Sequence, residues 1–91
     1  MLSWRQASHM AWSVEFDGLA LVDTSKGTVL RLGYPRAALW DLMGRDRSLP
    51  GIVSKMSAIA ALDMEHAERL VRETVREWVE AGLLVAEGER G

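Results

Sequence analysis

Two histidines, His9 and His66, are the first candidates for acid–base or metal chemistry in this chain. His9 belongs to an irregular N-terminal segment, and His66 falls in the first turn of a predicted helix. Neither histidine has a second ligand at a metal-like spacing such as i, i+4. We interpret both as surface residues, and the sequence predicts no metal site.

Nucleophile and cofactor motifs are also missing from the sequence. The chain has no Cys, which excludes disulfides, thiolate metal sites and cysteine nucleophiles. No G-x-S-x-G, P-loop or dinucleotide-binding pattern occurs, and Gly27 and Gly33 bracket a strand as turn and cap residues do. The carboxylates lie mostly on the last predicted helix, opposite arginines. We therefore expect a protein that is not an enzyme and needs no cofactor.

The length and composition predict one folded domain. A chain of 91 residues with 48% apolar and 26% charged residues can bury a small core. We expect residues 1–11 to form a flexible arm, residues 12–84 the domain and residues 85–91 a flexible tail. No apolar run approaches the roughly 20 residues needed to cross a bilayer, and no signal-peptide pattern opens the sequence. The expected location is the cytoplasm, with no membrane partner.

The first two strands are predicted from an alternating pattern. Trp12, Val14 and Phe16 alternate with polar residues, which is the period of a strand with one buried face. Asp17-Gly18 follows and suits a two-residue type I′ turn, because glycine tolerates positive φ. The second strand then begins at Leu19. In this register Phe16 faces Leu19, and the two strands share one apolar face.

A third strand and three helices complete the prediction. Thr28–Leu32 forms the third strand, and Ser48 and Asp63 are the N-caps expected for the second and third helices. The third helix should bury Met64, Val71, Val75 and Trp78 and end at Gly82. The order predicts an α+β domain, winged-helix-like, with a three-stranded antiparallel sheet followed by three helices packed on one face.

The third helix carries charges that favour a solvated surface. Glu and Arg recur at i, i+4 in four pairs, namely Glu65–Arg69, Glu68–Arg72, Arg69–Glu73 and Arg76–Glu80. A helix-turn-helix topology would place this helix in a DNA groove, yet the whole chain has a net charge of −2. DNA binding by a small winged-helix regulator is therefore an alternative that the topology permits and the electrostatics disfavour.

The far edge of the third strand raises the question of its partner. Only Arg31 and the short length of this strand protect the edge against pairing with another chain. On the third helix, Leu70 lies about 100° away from the centre of the core stripe, so the apolar face is wide. This width fits either a helix under a sheet edge or a shallow groove. A groove beside a free edge is a site for an added peptide strand.

The sequence resembles the PqqD-like family in two stretches. "LALVDTSKGTVLRLGYPRAALWDLM" is similar to the family's strand, turn glycine, strand and helix with a Leu-Trp pair, here Leu39-Trp40. "VREWVEAGLL" resembles the end of its last helix with a Gly-Leu stop. The resemblance covers roughly residues 12–84. It implies a stand-alone recognition element that binds the leader segment of a ribosomally synthesised precursor peptide and presents it to a modifying enzyme.

The resemblance also implies the binding residues. It assigns the backbone edge to Thr28, Val29, Leu30, Arg31 and Leu32, and the groove to Ala67, Leu70, Val71 and Thr74. Three departures affect the expected leader and pathway. Gly33 replaces an Asn frequent after the third strand, Leu70 replaces an Asp frequent on the third helix, and the Leu-Tyr-Pro-Glu run typical of pyrroloquinoline quinone assembly is absent. A pathway to lasso or radical-enzyme-modified peptides fits better.

The expected partners are therefore a precursor leader peptide and a maturation enzyme such as a leader peptidase, cyclase or radical SAM enzyme. No nucleic-acid partner is expected, and we expect a monomer. A structural subunit that dimerises through the same strand edge is a further alternative.

Overall fold

The computed structural model describes residues 3–45 and 48–87, and these residues form five strands and three helices. The elements in chain order are β1 (Ser3–Gln6), β2 (Met10–Glu15), β3 (Gly18–Asp23), β4 (Thr28–Gly33), α1 (Arg36–Arg45), α2 (Leu49–Ala60), α3 (Met64–Glu80) and β5 (Leu84–Glu87). The α+β class is confirmed, with the strands β2, β3 and β4 forming an antiparallel sheet in that order. α1 contacts β3 and β4, and α2 packs on both α1 and α3.

The β2–β3 hairpin has a different register from the predicted one. Its two loop residues are Phe16 and Asp17, and Glu15 pairs with Gly18. Leu19 therefore lies opposite Val14 and not opposite Phe16. Positive φ occurs in the described chain at Gly27, Ala61 and Gly82 only, so the loop is not the type I′ turn expected.

Gly18 explains the shift, because the sheet needs this glycine more than the turn does. A Cβ atom on Gly18 would lie 2.0 Å from the carbonyl oxygen of Leu32, far inside van der Waals contact. Gly18 pairs with Gly33 at the end of β4, and the absence of a side chain on Gly18 lets the two backbones approach closely. The turn is consequently made by the two residues that precede Gly18.

The predicted apolar face of β2 is only partly covered. The ring of Trp12 meets the ring of Trp40 edge-on, with centroids 5.6 Å apart. Val14 is 73% exposed and Phe16 is fully exposed, so the prediction that both are buried is wrong. The physical reason is that α1 contacts Trp12 through Trp40, whereas a cavity separates α1 from the hairpin end of the sheet.

The two ends of the described chain pair with each other. β1 and β5 form a separate two-stranded antiparallel sheet in which Ser3 faces Glu87 and Gln6 faces Leu84. Trp4 is buried against the core, and the Gln6 amide donates to the carbonyl oxygen of Trp40 at 2.9 Å. The flexible arm expected at 1–11 and the tail expected at 85–91 thus differ from the structure at residues 3–11 and 85–87. The remainder of both segments, residues 1–2 and 88–91, lies outside the described residues.

The helix ends follow the sequence signals closely. The Ser48 hydroxyl accepts a hydrogen bond from the Gly51 amide at 3.3 Å, and the Asp63 carboxylate accepts one from the His66 amide at 2.8 Å. Gly82 adopts φ +81° after α3, and the following amide of Leu83 donates to the carbonyl oxygen of Trp78 at 2.8 Å. Both N-caps and the glycine C-cap are confirmed.

The core is centred on the helices and on β3. Trp40 is fully buried and stands edge-on to Trp78, with ring centroids 5.4 Å apart. Val71, Val75 and Trp78 of α3 are buried as predicted, whereas Met64 is exposed because it occupies the first turn beyond the packed part of the helix. None of the three described helices combines the length and apolar character that crossing a lipid bilayer would require.

Candidate functional site

β4 is an edge strand whose outer side has no partner strand among the described residues. The sheet order β2-β3-β4 leaves that side of Thr28–Gly33 free. Val29 is 57% exposed and Leu30 is 45% exposed, so the strand is open to solvent along most of its length. Leu32 is buried, and its carbonyl oxygen is directed at β3, because it lies 2.0 Å from the position that a Cβ atom on Gly18 would take. The free edge predicted at Thr28–Leu32 is confirmed as an unpaired edge.

The two faces of β4 differ in what they offer. Leu30 lies opposite Leu21 and Leu32 lies opposite Leu19, so both leucines point to the side of the helices. Val29 and Arg31 point to the other side. The Arg31 guanidinium contacts the Glu15 carboxylate at 2.7 Å, across the middle strand. Arg31 therefore already has an anionic partner on the solvent face of the sheet.

One stripe of α3 approaches β4 at the C-terminal end of the helix, where Ala81 lines the same cavity as Leu30. Glu77 forms an ion pair at 2.9 Å with Arg36, the first residue of α1 and close to the end of β4. Leu70 precedes Glu77 by two helical turns, and Ala81 follows it by about one, so the three residues share one side of the helix. We call the space between the free edge of β4 and this stripe the β4 groove.

A cavity of about 210 Å³ lies at the Thr28 end of the β4 groove. It is apolar in the middle, where Leu30 meets Ala81 and Leu83 from the end of α3. Lys26 and Asp23 stand among its lining residues, at the turn before β4. The cavity could hold a side chain of a bound peptide next to the backbone edge.

The predicted groove residues of α3 fall into two groups. Ala67, Val71 and Thr74 are fully buried, and they form the support beneath the stripe. Leu70 is half-buried and packs against the core, so of these four residues it is the one that presents surface. Leu70 is not among the residues that line the Leu30 cavity. The contact of all four residues with a peptide remains a prediction.

Sequence reasoning missed the residues that complete the groove. Ala81 and Leu83 line it from the helix end, Met10 lines it from β2, and Arg36 and Glu77 connect α1 with α3. Glu77 and Ala81 follow Leu70 by seven and eleven residues, a spacing that places all three on one side of a helix. No local signal points to Met10, because only the folded sheet brings it near Leu30.

The rim of the groove at Asp23 is a structural turn. The Asp23 carboxylate accepts hydrogen bonds from the Ser25 hydroxyl at 2.6 Å, the Ser25 amide at 2.9 Å and the Lys26 amide at 3.1 Å. The hydrogen bond from the Ser25 hydroxyl, helped by those from the two amides, lowers the pKa of Asp23. This carboxylate holds the β3–β4 turn, which leaves the Lys26 ammonium as the charge available at that end.

The histidines take structural roles. His66 Nδ1 lies 2.7 Å from the carboxylate of Asp63, the cap of its own helix, and His9 Nε2 lies 3.8 Å from Asp23. Across residues 3–45 and 48–87, no three His, Asp or Glu side chains gather as metal ligands would. The hydrogen bond from the His66 amide is the main reason why the pKa of Asp63 lies below its ordinary value.

The fold has a counterpart among solved structures. One chain superposes with a TM-score of 0.80, and the match covers 96% of this chain and 99% of that chain. It is TbiB1 in complex with the TbiA(beta) leader peptide. The sequence identity is 22%, so the likeness establishes the shared fold. No protein-family model and no curated protein matches the chain significantly.

Proposed function

We propose that this protein binds the leader segment of a ribosomally synthesised precursor peptide as an added strand on β4, within the β4 groove. The observation that carries the proposal is the free edge of β4 beside the stripe of α3, with an apolar cavity at Leu30. The shared fold with TbiB1, a protein solved with a leader peptide, supports it. In this reading the protein is a PqqD-like recognition element without catalytic activity.

The dimensions of the groove suit a short extended peptide. The stripe from Leu70 to Ala81 is about 16 Å long at 1.5 Å per helical residue. An extended segment of about five residues has the same length. Such a segment can pair with Thr28–Leu32 along its backbone while alternate side chains face α3. We expect one of these side chains to be apolar and to enter the Leu30 cavity.

The energy of the contact predicts weak binding by this site alone. About four added backbone hydrogen bonds contribute about 1 kcal/mol each. Two buried apolar side chains contribute about 2 kcal/mol each. Ordering a flexible peptide and losing its translational freedom offset several kcal/mol of this sum. The site therefore favours a protein that captures a leader and then passes the precursor to a separate modifying enzyme, as we propose here.

Charges add little to this affinity. Arg31 contacts Glu15, Arg69 contacts Glu65 at 3.8 Å, and Arg72 contacts Glu68 at 2.8 Å. An acidic leader residue would compete with these existing partners. Because exposed ion pairs contribute at most about 1 kcal/mol, we expect a weak dependence of leader affinity on salt. A DNA-binding protein would instead lose affinity steeply with salt.

The test is an NMR titration of the isotopically labelled protein with the leader half of a candidate precursor peptide. We expect amide shifts concentrated on residues 28–33 and on the stripe that contains Leu70 and Ala81. A second peptide series carries single N-methyl groups at successive positions. Alternate residues of an added antiparallel strand direct their N–H groups to β4, so affinity should fall at every second position only.

Two results would contradict strand addition in the β4 groove. Equal effects of N-methylation at neighbouring positions would exclude strand addition, and shifts confined to other surfaces would exclude the β4 groove. A random DNA duplex titrated at low salt serves as the control for the alternative function. Binding of the duplex without binding of the peptide would replace the proposal with a DNA-binding one.

A further inference from the structure

The hairpin end of the sheet carries exposed apolar side chains that the β4 groove does not use. Val14, Phe16, Tyr34 and Ile59 are all large, apolar or aromatic, and exposed. They come from β2, from the hairpin loop, from the segment after β4 and from α2. We call these four residues the Phe16 patch. Exposed apolar patches of this kind mark interaction surfaces more often than chance.

The patch contains both a projection and a hollow. A cavity of about 420 Å³ lies between the hairpin and α1, and three of the four patch residues line it, together with Leu19, Ala38 and Leu42. Phe16 itself does not line this cavity, although Val14 and Gly18 on either side of it do. The Phe16 ring therefore projects into solvent next to a hollow lined mainly by apolar side chains.

Side chains of both charges lie at this patch. Asp17 follows Phe16 at the tip of the hairpin. Arg45 and Asp41 line the cavity, with the Arg45 Nε atom 3.0 Å from the Asp41 carboxylate. The tip thus carries an acid, and the rim of the hollow carries an exposed base.

We propose that two copies of this chain associate through the Phe16 patch, with Phe16 of each copy in the cavity of the other. A two-fold contact requires one patch to complement itself. Here the ring and the hollow, and the acid and the base, all lie within one patch, which favours a second copy over an unrelated partner. In such a dimer Asp17 of one copy approaches Arg45 of the other. This dimer replaces the expected monomer and leaves the free edge of each β4 outside the contact.

The first experiment is sedimentation equilibrium of the full chain over a hundredfold range of protein concentration. The wild-type mass should rise from one copy to two. Phe16→Ser should raise the dimer dissociation constant at least about tenfold, as loss of a central aromatic residue does at interfaces. Val29→Ser is the matched control, since it removes an exposed apolar side chain from another part of the sheet. It should associate as the wild type does.

A second set of variants tests the cavity and its charge. Ala38→Trp should fill the cavity and block the dimer as effectively as Phe16→Ser. Asp17→Arg and Arg45→Asp should each weaken the dimer, and the double variant should recover part of the loss. A wild-type chain that stays a single copy throughout would overturn the proposal. So would a dimer that Phe16→Ser leaves intact.

The dimer and the peptide site can fail separately. Leader affinity measured with Phe16→Ser reports on the β4 groove alone, and it should equal the wild-type value. If the wild type is a single copy and another protein binds in a Phe16-dependent way, the patch serves that partner and the dimer proposal is wrong.

Discussion

The sheet has two outer strands, β2 and β4, and they present very different edges. Neither has a partner on its outer side among the described residues, and both direct leucine, valine or aromatic side chains to the same face. β4 shares a cavity with Ala81 at the end of α3. A larger cavity separates the hairpin end of β2 from α1, and Val14 is mostly exposed. We infer that a free edge suits a peptide where a helix supplies a second wall.

The same comparison separates two kinds of partner. A groove accepts a narrow, extended chain because backbone bonds and side-chain pockets can be used together. An open patch with a projecting ring accepts another folded surface. We therefore propose a peptide site at one end of the sheet and a contact with a folded protein at the other.

The largest loss of stability should come from Gly18→Ala, because Gly18 lies in β3, between the two outer strands. The added methyl group would meet the Leu32 carbonyl oxygen at 2.0 Å, a backbone atom that cannot move alone. We expect the free energy of unfolding to fall by about 3 kcal/mol in urea denaturation. Its cross-strand partner provides the control. A Cβ atom on Gly33 meets nothing within 4 Å, so Gly33→Ala should change stability by less than about 0.5 kcal/mol.

Equal losses for the two glycine variants would mean that chain flexibility, and not the close approach of β3 to β4, determines the effect. The contact between Gly18 and Leu32 would then not explain the register of the hairpin.

The next effect concerns the two edges directly. Leu30→Ser removes the side chain at the β4 cavity, and Val14→Ser removes its counterpart on β2. Fluorescence anisotropy with a labelled leader peptide should show at least a tenfold loss of affinity for Leu30→Ser, equivalent to about 1.4 kcal/mol. Val14→Ser should bind the peptide normally. A loss of peptide affinity in Val14→Ser but not in Leu30→Ser would place the peptide site on β2.

A smaller effect is expected from the ion pair that connects α1 with α3. Glu77→Gln removes the partner of Arg36 and should cost about 0.5 kcal/mol of stability, because both side chains are half-exposed. It should also lower peptide affinity by a small factor, since the pair lies beside the groove. Glu68→Gln breaks a pair of similar length on the outer side of α3 and serves as the control. A peptide effect of the same size in both variants would contradict this position for the groove.

The smallest effect is the pH dependence of the cap of α3. The hydrogen bond from the His66 amide lowers the pKa of Asp63 below 3.8, so the ionised cap stabilises the folded state above pH 3.8. That stabilisation is lost as the pH falls through the lowered pKa. Asn caps equally well and does not titrate. The difference in melting temperature between wild type and Asp63→Asn should therefore change in this acidic range.

The features predicted correctly from sequence depend on neighbouring residues. Ser48, Asp63 and Gly82 act on amides or carbonyls within one helical turn, so their types suffice to locate the helix ends. The third strand and its free edge followed from a local alternation bounded by turn residues. Their consequence, a candidate edge for peptide binding, came from the same local pattern.

The features that were missed depend on residues far apart in the chain. The hairpin register is decided by the contact between Gly18 and Leu32, which no pattern within the hairpin reveals. β1 has only four residues, too few for a clear alternation, and its partner β5 lies at the other end of the chain. The Leu30 cavity needs Ala81 and Leu83, which only the packing of α3 brings near β4. The position of the groove along α3 could not be predicted for the same reason.

The pairing of β1 with β5 has a practical consequence for engineering. Ser3 and Glu87 face each other across that small sheet, so the two ends of the described chain leave the domain side by side. A few glycine and serine residues could join them, and new termini could then be cut in the exposed loop between β3 and β4. The domain can equally be placed inside a surface loop of a host enzyme, entering and leaving at one point, with its β4 edge turned outward as a portable docking module.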